Sequence, residues 1–196
     1  MNMQAEEPTS KEKILLAARN LFGEYGYADT TFKRIAEKSG MALGLITHYF
    51  GSKEKLFVSS SLSVLDELYG ELQEAASSAS NGLEEVLAFV EAYLNYSVTP
   101  GKDFLLLVRC SPYSDIKSDI NKDDVSKMFE RLILDISEML ARGMEDGSVV
   151  DCPSVKTANC IFATVVGSVR TRLLSPYCPD NYYEEVLHYV RRSIAK

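Results

Sequence analysis

The residues from Thr30 to Lys55, TTFKRIAEKSGMALGLITHYFGSKEK, carry the side chains in this sequence that are best suited to chemistry. Basic and hydroxyl side chains recur there on both sides of a Ser-Gly corner at positions 39–40. Cations and hydroxyls bind phosphate oxygens, and side chains near the start of an exposed helix can reach the edges of bases. The chemistry that this block predicts is therefore the binding of nucleic acid.

Signatures of catalytic and metal sites are missing from the sequence. None of the eleven glycines lies two positions from another, which excludes a Gly-x-Gly-x-x-Gly loop. The glycine pairs four positions apart, 40/44 and 143/147, have Ala42 and Glu145 at their centres, which excludes a Gly-x-Ser-x-Gly elbow. The two histidines, His48 and His188, are far apart in separate predicted helices, and no His/carboxylate pairing stands out at metal-ligand spacing. We therefore expect no catalytic residues, no metal site and no cofactor, and predict that the chain is not an enzyme.

Two short helices are predicted on either side of the corner. The first begins at the hydroxyl of Thr30 or Thr31, and the second ends at Gly51. So tight a corner makes the two helices cross steeply, which is the layout of a helix-turn-helix. Ile46 and Phe50, one turn apart, should hold the second helix to the rest of the domain. The positions predicted to face outward, toward the major groove, are Leu43, Gly44, Thr47 and His48.

Apolar residues repeat at helical spacing along the rest of the chain. A first helix is predicted over about residues 10–25, with a capping box at its start and Gly26 as its stop. A turn-rich stretch is predicted over 111–123, and no β-hairpin is indicated. The chain is therefore predicted to be all-α, with about nine helices. The six that follow the corner are predicted at about 53–77, 83–97, 103–110, 125–144, 154–174 and 182–194.

The net charge of −7, from 28 acidic and 21 basic side chains, argues at first against a nucleic-acid-binding protein. Residues 1–55, however, hold eight basic and seven acidic side chains, a net of +1, which leaves 13 basic and 21 acidic side chains, or −8, for the rest. Without Glu6 and Glu7, in a start expected to fray, the first part carries +3. The acidity belongs to the second part, and the positive first part predicts DNA binding that is sensitive to salt.

Nothing in the sequence predicts a membrane protein or a secreted one. The longest clean apolar run, 104–108, is far shorter than the ~20 residues that cross a bilayer, and the start of the chain has acids where a signal peptide is apolar. The four cysteines are 42, 8 and 18 positions apart, without a Cys-x-x-Cys pair. We expect reduced thiols, since the disulfide alternative needs an oxidising compartment. A cytoplasmic protein with no membrane partner is predicted.

The block around the corner resembles the tetracycline-repressor (TetR) family of transcriptional regulators. The resemblance covers about residues 9–57 and rests on Thr-Thr-x-x-x-Ile-Ala, a corner, Gly-x-x-x-His-Tyr-Phe and a lysine three positions on. The matching residues are Thr30, Thr31, Ile35, Ala36, Gly40, Gly44, His48, Tyr49, Phe50 and Lys53. It implies that Thr47 and His48 lie along the DNA-facing side. The residues for which it implies phosphate contacts are Thr31, Tyr49 and Lys53, with Lys33 or Arg34 as further candidates.

The start of the second helix departs from the family pattern. Where the family usually has Ser-Lys-Gly-Thr-Leu-Tyr, residues 42–47 read Ala-Leu-Gly-Leu-Ile-Thr. Ala42 cannot cap a helix as serine does, a loss of about 1 kcal/mol. Leu43 can touch a thymine methyl but cannot donate a hydrogen bond to a base. We therefore expect sparse and largely apolar reading of the operator.

The resemblance implies two domains, a helix-turn-helix DNA-binding domain over residues 9–55 and a helical effector-binding and dimerisation domain over 56–196. The residues expected around an effector pocket are Tyr93, Tyr96, Phe104, Met128, Phe129 and Phe162, and core packing is the alternative for each. Arg109, Arg170 and Arg172 would be costly to bury unpaired. Any of the three that points inward therefore indicates an anionic or hydrogen-bonding ligand.

The last two predicted helices are candidates for a dimer interface. Ala163 and Gly167, four positions apart on one face, would let a second copy of the helix approach closely. Two operator half-sites also need two recognition helices. The alternative is that Gly167 packs within the protomer.

Together these features predict a homodimeric transcriptional repressor that a small-molecule effector releases from a palindromic operator of double-stranded DNA. Two other classes stay open. A small-molecule sensor that does not touch DNA is kept open by the few polar residues at 43–47. A helical enzyme would need titratable groups that converge in a cleft.

Overall fold

The computed structural model describes residues 8–110 and 123–196. Within these residues the chain forms nine α-helices and no β-strand, which confirms the all-α prediction. Of the predicted turn-rich stretch, 111–122 lies outside the described residues. The helices are α1 Ser10–Asp29, α2 Phe32–Ser39, α3 Leu43–Phe50, α4 Lys53–Ser77, α5 Gly82–Val98, α6 Phe104–Cys110, α7 Asp123–Asp146, α8 Ser154–Leu174 and α9 Tyr182–Ile194.

Local hydrogen bonds begin the first helices where the sequence predicts, whereas α1 continues past its predicted end. Thr9 and Glu12 form the capping box of α1, with the Thr9 amide 2.7 Å from Glu12 Oε2. Gly26, with φ 79° and ψ 177°, interrupts the helical backbone, and one more turn continues to Asp29. Thr31 is the residue that caps α2, because its Oγ1 accepts from the Arg34 amide at 3.3 Å. The hydroxyls predicted to start these helices do so by satisfying amides without intrahelical partners.

Helices α1 to α3 and the first turns of α4 form one small bundle, called the head below. Phe57 of α4 packs edge-on against Phe22 of α1 at 5.1 Å and against Tyr27 at 5.2 Å between ring centroids. Helix α4 then runs on without a break into the larger part of the chain. Head and larger part therefore share a helix, and the division at residues 55/56 stays a prediction.

The larger part packs α5 against α4 and α7, and α8 against α7 and α9. Two glycines let α5 begin against the end of α7, because a Cβ on Gly82 would lie 2.1 Å from the Gly143 nitrogen. The C-terminus is held by the Val150 amide, which donates to the Ile194 carbonyl at 2.9 Å. In the part of the chain that the structure describes, no helix is long and apolar enough to cross a membrane.

Candidate nucleic-acid interface and effector cavity

The corner between α2 and α3 is built on Gly40. Its φ of 69° and ψ of 17° are left-handed, a conformation that a residue with a Cβ adopts only at a cost. The amides of Gly40 and Met41 both turn back to the Ala36 carbonyl, the latter at 3.2 Å. These bonds satisfy the end of α2 while α3 starts in a new direction.

Helix α3 has the two faces that the sequence predicts. Ile46 and Phe50 are buried, which confirms their packing role. The opposite face is exposed, with Leu43 at 51% and Tyr49 at 42% of their accessible surface. The four predicted outward residues, Leu43, Gly44, Thr47 and His48, are all exposed on α3, and Tyr49, predicted to contact phosphate, is exposed as well.

The first turn of α3 is open to a ligand. Ala42 makes no side-chain cap, as predicted from its missing hydroxyl. Nothing lies within 4 Å of the position that a Cβ on Gly44 would take. The Thr47 hydroxyl donates to the Leu43 carbonyl at 3.3 Å, so its lone pairs can still accept. An uncapped first turn leaves amide donors that can reach phosphate oxygens.

Two of the predicted phosphate-binding cations make contacts within the protein. The Arg34 guanidinium carbon lies 3.9 Å from the centre of the Tyr25 ring, and Nη1 donates to the Asp29 carbonyl at 2.8 Å. Lys53 Nζ donates to the Tyr27 carbonyl at 2.9 Å and lies 4.3 Å from the centre of that ring. Both side chains therefore also hold the end of α1, whereas Lys33 is exposed.

One cation that the sequence assigns to the positive head is not on its surface. Arg19 is only 7% exposed and pairs with Glu67 and Asp103, two acids beyond residue 55. Treating its charge as part of the DNA-facing surface was wrong, because both partners neutralise it inside the protein. The exposed lysines of the head are Lys11, Lys13, Lys33, Lys38 and Lys55.

This buried cluster joins the head to the larger part. Arg19 donates from Nη2 to Glu67 Oε2 at 2.9 Å and from Nε to Asp103 Oδ2 at 3.2 Å, and Asn20 Nδ2 donates to Asp103 Oδ1 at 2.6 Å. The hydrogen bonds from Arg19 lower the pKa of the Glu67 carboxyl. Asp103 has a φ of 53°, a left-handed conformation that its partners on α1 hold in place. No sequence spacing indicates these pairs, which join residues 48 and 84 positions apart.

Helix α6 begins directly after Asp103 and lies against α1. A Cβ on Gly23 would be 3.4 Å from the Leu106 nitrogen, so α6 and α1 are close. Arg109 donates from Nε to the Gly23 carbonyl at 2.9 Å and from Nη2 to the Glu24 carbonyl at 3.3 Å. Sequence reasoning took Arg109 as a candidate ligand contact, but the structure uses it to fasten α6 to α1.

Three of the predicted pocket residues line a small space between α5, α6, α7 and α8, called the aromatic cavity below. Its lining residues are Tyr93, Phe104, Leu107, Val108, Phe129, Val166, Val169 and Arg170. The cavity volume is about 10 Å³, about the room that one water needs, whereas ligand sites are about 300–1,000 Å³. The cavity is therefore too small for a ligand unless side chains move.

The other predicted pocket residues lie farther from this space. Phe162 is buried behind the lining, with its ring 5.9 Å from Tyr93 and 6.2 Å from Phe129. Tyr96 is buried against Phe104 at 6.1 Å, and burial raises the pKa of its hydroxyl. Met128 is half-buried against the core and is not among the lining residues. Sequence reasoning thus brought together most of an aromatic cluster but missed its aliphatic wall.

The face of α8 predicted for dimerisation is uncovered. Ala163 and Gly167 are exposed, and none of the described residues comes within 4 Å of a Cβ built on Gly167. The alternative that Gly167 packs within the protomer is therefore wrong. Beside these residues a groove between α8 and α9 is lined in part by Cys160 and Tyr189.

Comparison with known proteins assigns the fold to a family. Residues 14–59, which contain α2, α3 and the corner, match the family model for bacterial regulatory proteins of the tetR family. The repressor AcnR of Corynebacterium diphtheriae is 29% identical over 185 residues, which cover 94% of this chain and 90% of that protein. The head of this chain therefore matches the TetR family. AcnR is a transcriptional repressor, and BetI of Brucella melitensis, 32% identical over 93 residues, is a transcriptional regulator.

Further similarities are either short in sequence or confined to the fold. AcnR of Corynebacterium efficiens is 41% identical over 78 residues, and in that match the chain spans only 38% of the relative's length. A putative regulator from Saccharomonospora viridis, solved in complex with choline, superposes with a TM-score of 0.83 at 17% identity, covering 95% of this chain and 98% of that one. At this identity the likeness shows a shared fold.

Proposed function

We propose that this TetR-family protein is a dimeric repressor that binds a palindromic operator and leaves it when a small molecule enters the aromatic cavity. The observation that carries the proposal is the exposed outer face of α3. Ile46 and Phe50 on the opposite face are buried in the head, and the corner at Gly40 sets the direction in which α3 starts. A preformed helix with an exposed face is what the major groove admits. We place the protein in the cytoplasm because an operator-binding protein acts on the chromosome.

In the complex, the outer face of α3 lies against the bases, with contacts from Leu43, Gly44, Thr47 and His48. Phosphate contacts come from the edges of this face, through Thr31, Lys33 and Tyr49. Lys53 also keeps one N–H donor for a phosphate, because its ammonium group has three N–H donors and two of them bind the carbonyls of Tyr27 and Ala28. Arg34 likewise keeps donors for a phosphate beside its bond to Asp29.

Helix α6 is the proposed route from effector to DNA. On one side its Phe104 and Leu107 line the closed cavity, and on the other its Arg109 is bonded to α1. A ligand that enters must displace cavity residues, and so it favours a different position of α6. Because α6 is fastened to α1, that position changes the head. The coupling lowers operator affinity by the ratio of the ligand's two affinities, typically about 5- to 150-fold.

Dimerisation is proposed through α8 and α9. The small residues Ala163 and Gly167 leave room for the same helix of a second copy, and Val155 and Tyr189 add exposed apolar surface on the two helices. A two-fold axis there makes a self-complementary interface and places one head on each half-site. The operator is therefore expected to be a palindrome.

The test is selection of bound fragments from random DNA by the full chain at low salt, with two histidine variants as a matched pair. His48 lies on the outer face of α3, and His188 lies on α9, and both are exposed. We expect an enriched palindrome that His48→Ala weakens and His188→Ala leaves unchanged. No enrichment, or equal effects of the two variants, would contradict the proposed interface.

A further inference from the structure

We propose that the ligand of the aromatic cavity is an amphipathic anion, an apolar body that carries one carboxylate, and that Arg170 binds the carboxylate. The inference rests on the proposed function in one respect, that the cavity is the effector site. It goes further by assigning the ligand's charge and the residue that recognises it.

The lining of the cavity is arranged by polarity. The inner residues Tyr93, Phe104 and Phe129 are buried and aromatic. Val166 and Arg170 of α8 are partly exposed and so form the rim. An apolar body is favourable among the inner residues, because it removes apolar surface from water. A charged group of the same ligand then comes to lie at the rim, where Arg170 is.

Arg170 is the one charged side chain among the described residues that line the cavity. In residues 8–110 and 123–196 no hydrogen bond or ion pair to Arg170 is formed, whereas Arg109 is bonded to α1 and Arg19 to two acids. A half-buried guanidinium loses hydration without gaining a partner. A carboxylate compensates for the lost hydration by accepting two parallel N–H···O hydrogen bonds, the geometry that guanidinium groups favour.

Aromatic rings can also surround an organic cation, so the charge of the cavity decides between two ligand classes. Rings such as Tyr93 and Phe129 attract a quaternary ammonium through their faces. Here no carboxylate is among the described lining residues, and Arg170 repels a cation at the rim. The lining therefore favours the anion.

The experiment compares ligands that share a tail and differ in the head group. Octanoate, octan-1-ol and octyltrimethylammonium are titrated calorimetrically into the full chain without DNA, and 4-phenylbutyrate with 4-phenylbutan-1-ol repeats the test with an aromatic tail. We expect the carboxylate of at least one tail to bind about 10- to 100-fold more tightly than its alcohol, the range for a hydrogen-bonded charge pair. The ammonium compound should bind most weakly.

Two arginine variants test whether Arg170 causes the preference for carboxylate over alcohol. Arg170→Gln should remove the preference for carboxylate over alcohol while keeping the binding of the alcohol. Arg172→Gln, two residues along the same helix and exposed, should leave the preference unchanged. Thermal unfolding of each variant checks that it is folded.

Three results would overturn the inference: tighter or equal binding of the alcohol or ammonium compound, an unchanged preference in Arg170→Gln, or no binding of either carboxylate at millimolar concentration. Because these titrations contain no DNA, they separate the inference from the proposed function. Carboxylate binding without operator selection would contradict the repressor role alone. Operator selection without carboxylate binding would contradict only the ligand class.

Discussion

The exposed side of α3, which we propose faces DNA, and the aromatic cavity are opposite kinds of site in one chain. Leu43 and Tyr49 stand exposed on a helix that its own buried face holds rigid, so the surface is ready before DNA arrives. The cavity, by contrast, is filled by its own side chains to about 10 Å³. A preformed site supplies affinity, whereas a closed site links ligand entry to movement. In the proposed function, the cavity is therefore the part that changes when a ligand binds.

The largest effect is expected from Phe104→Ala, which removes a buried ring shared by α6 and the cavity. We expect the free energy of unfolding to fall by about 3–5 kcal/mol, because a cavity replaces the ring. Urea unfolding measures the loss, and added benzene should recover part of it by filling the space. The control is Leu105→Ala, the next residue, which is 39% exposed and should cost at most about 0.5 kcal/mol. Similar losses in both variants would show that the Phe104 ring is not tightly packed in the wild-type protein.

A smaller loss is expected at the junction between head and larger part. Asp103→Ala removes a partner of buried Arg19. It also leaves an alanine in the left-handed conformation, at φ 53°, without the carboxylate hydrogen bonds that hold Asp103 there. We expect about 2 kcal/mol of destabilisation, since Glu67 still pairs with Arg19. Asp103→Gly, which loses the carboxylate but suits the backbone, should lose less in thermal unfolding. Equal losses would mean that the left-handed backbone carries no strain.

On the DNA side, Lys53→Ala should weaken binding to all sequences and flatten the slope of log affinity against log salt by about one unit. Because Lys53 also binds the Tyr27 carbonyl, the variant should unfold at a lower temperature. Lys33→Ala, which removes an exposed lysine, should flatten the slope without that loss of stability. A salt titration with each variant checks this, and an unchanged slope in Lys53→Ala would count against its phosphate contact.

Gly44→Ala should separate stability from DNA binding. Alanine in the first turn of α3 meets nothing within 4 Å, so we expect up to about 1 kcal/mol of added stability from helix propensity. Operator affinity should fall nevertheless, because the new methyl group stands on the surface that approaches DNA. Gly70→Ala in α4, also with nothing within 4 Å, should add stability and leave affinity unchanged. If Gly44→Ala bound the operator as well as the wild type, α3 would not approach DNA at this position.

The smallest effect is a dependence on pH. Arg19 lowers the pKa of Glu67 in the folded protein below its ordinary value of 4.5. The stability that this carboxylate contributes is therefore complete above about pH 4.5 and is lost as the pH falls through the folded-state value. Glu67→Gln should narrow the difference in unfolding temperature between pH 7 and acidic buffer. The change should be small because the Glu67 side chain is half exposed. A wider difference in the variant would contradict the assignment.

Prediction from sequence succeeded where the determining interactions are short-range. The capping box at Thr9, the stop at Gly26 and the corner at Gly40 each depend on residues within five positions of one another. The outward and inward faces of α3 follow from the helical repeat alone. These signals lie in one stretch, which is why the family resemblance was visible there.

Sequence reasoning failed where a partner is distant along the chain. It counted Arg19 as surface charge, because nothing near it in sequence indicates a pairing with Asp103. It treated Arg109 and Arg170 alike, although one is bonded to α1 and the other lines the cavity. Helical spacing also groups the aromatic residues by helix, but it does not show that their rings leave almost no space between the helices.

The amino-acid sequence by itself therefore determined the helices, the corner and the exposed side of α3, because capping, left-handed glycine and helical periodicity act within a few residues. Only the tertiary structure decided which cations remain on the surface, how α6 is fastened to α1 and which arginine faces the cavity. Those outcomes depend on which side chains are desolvated together, and desolvation is a property of the packed chain.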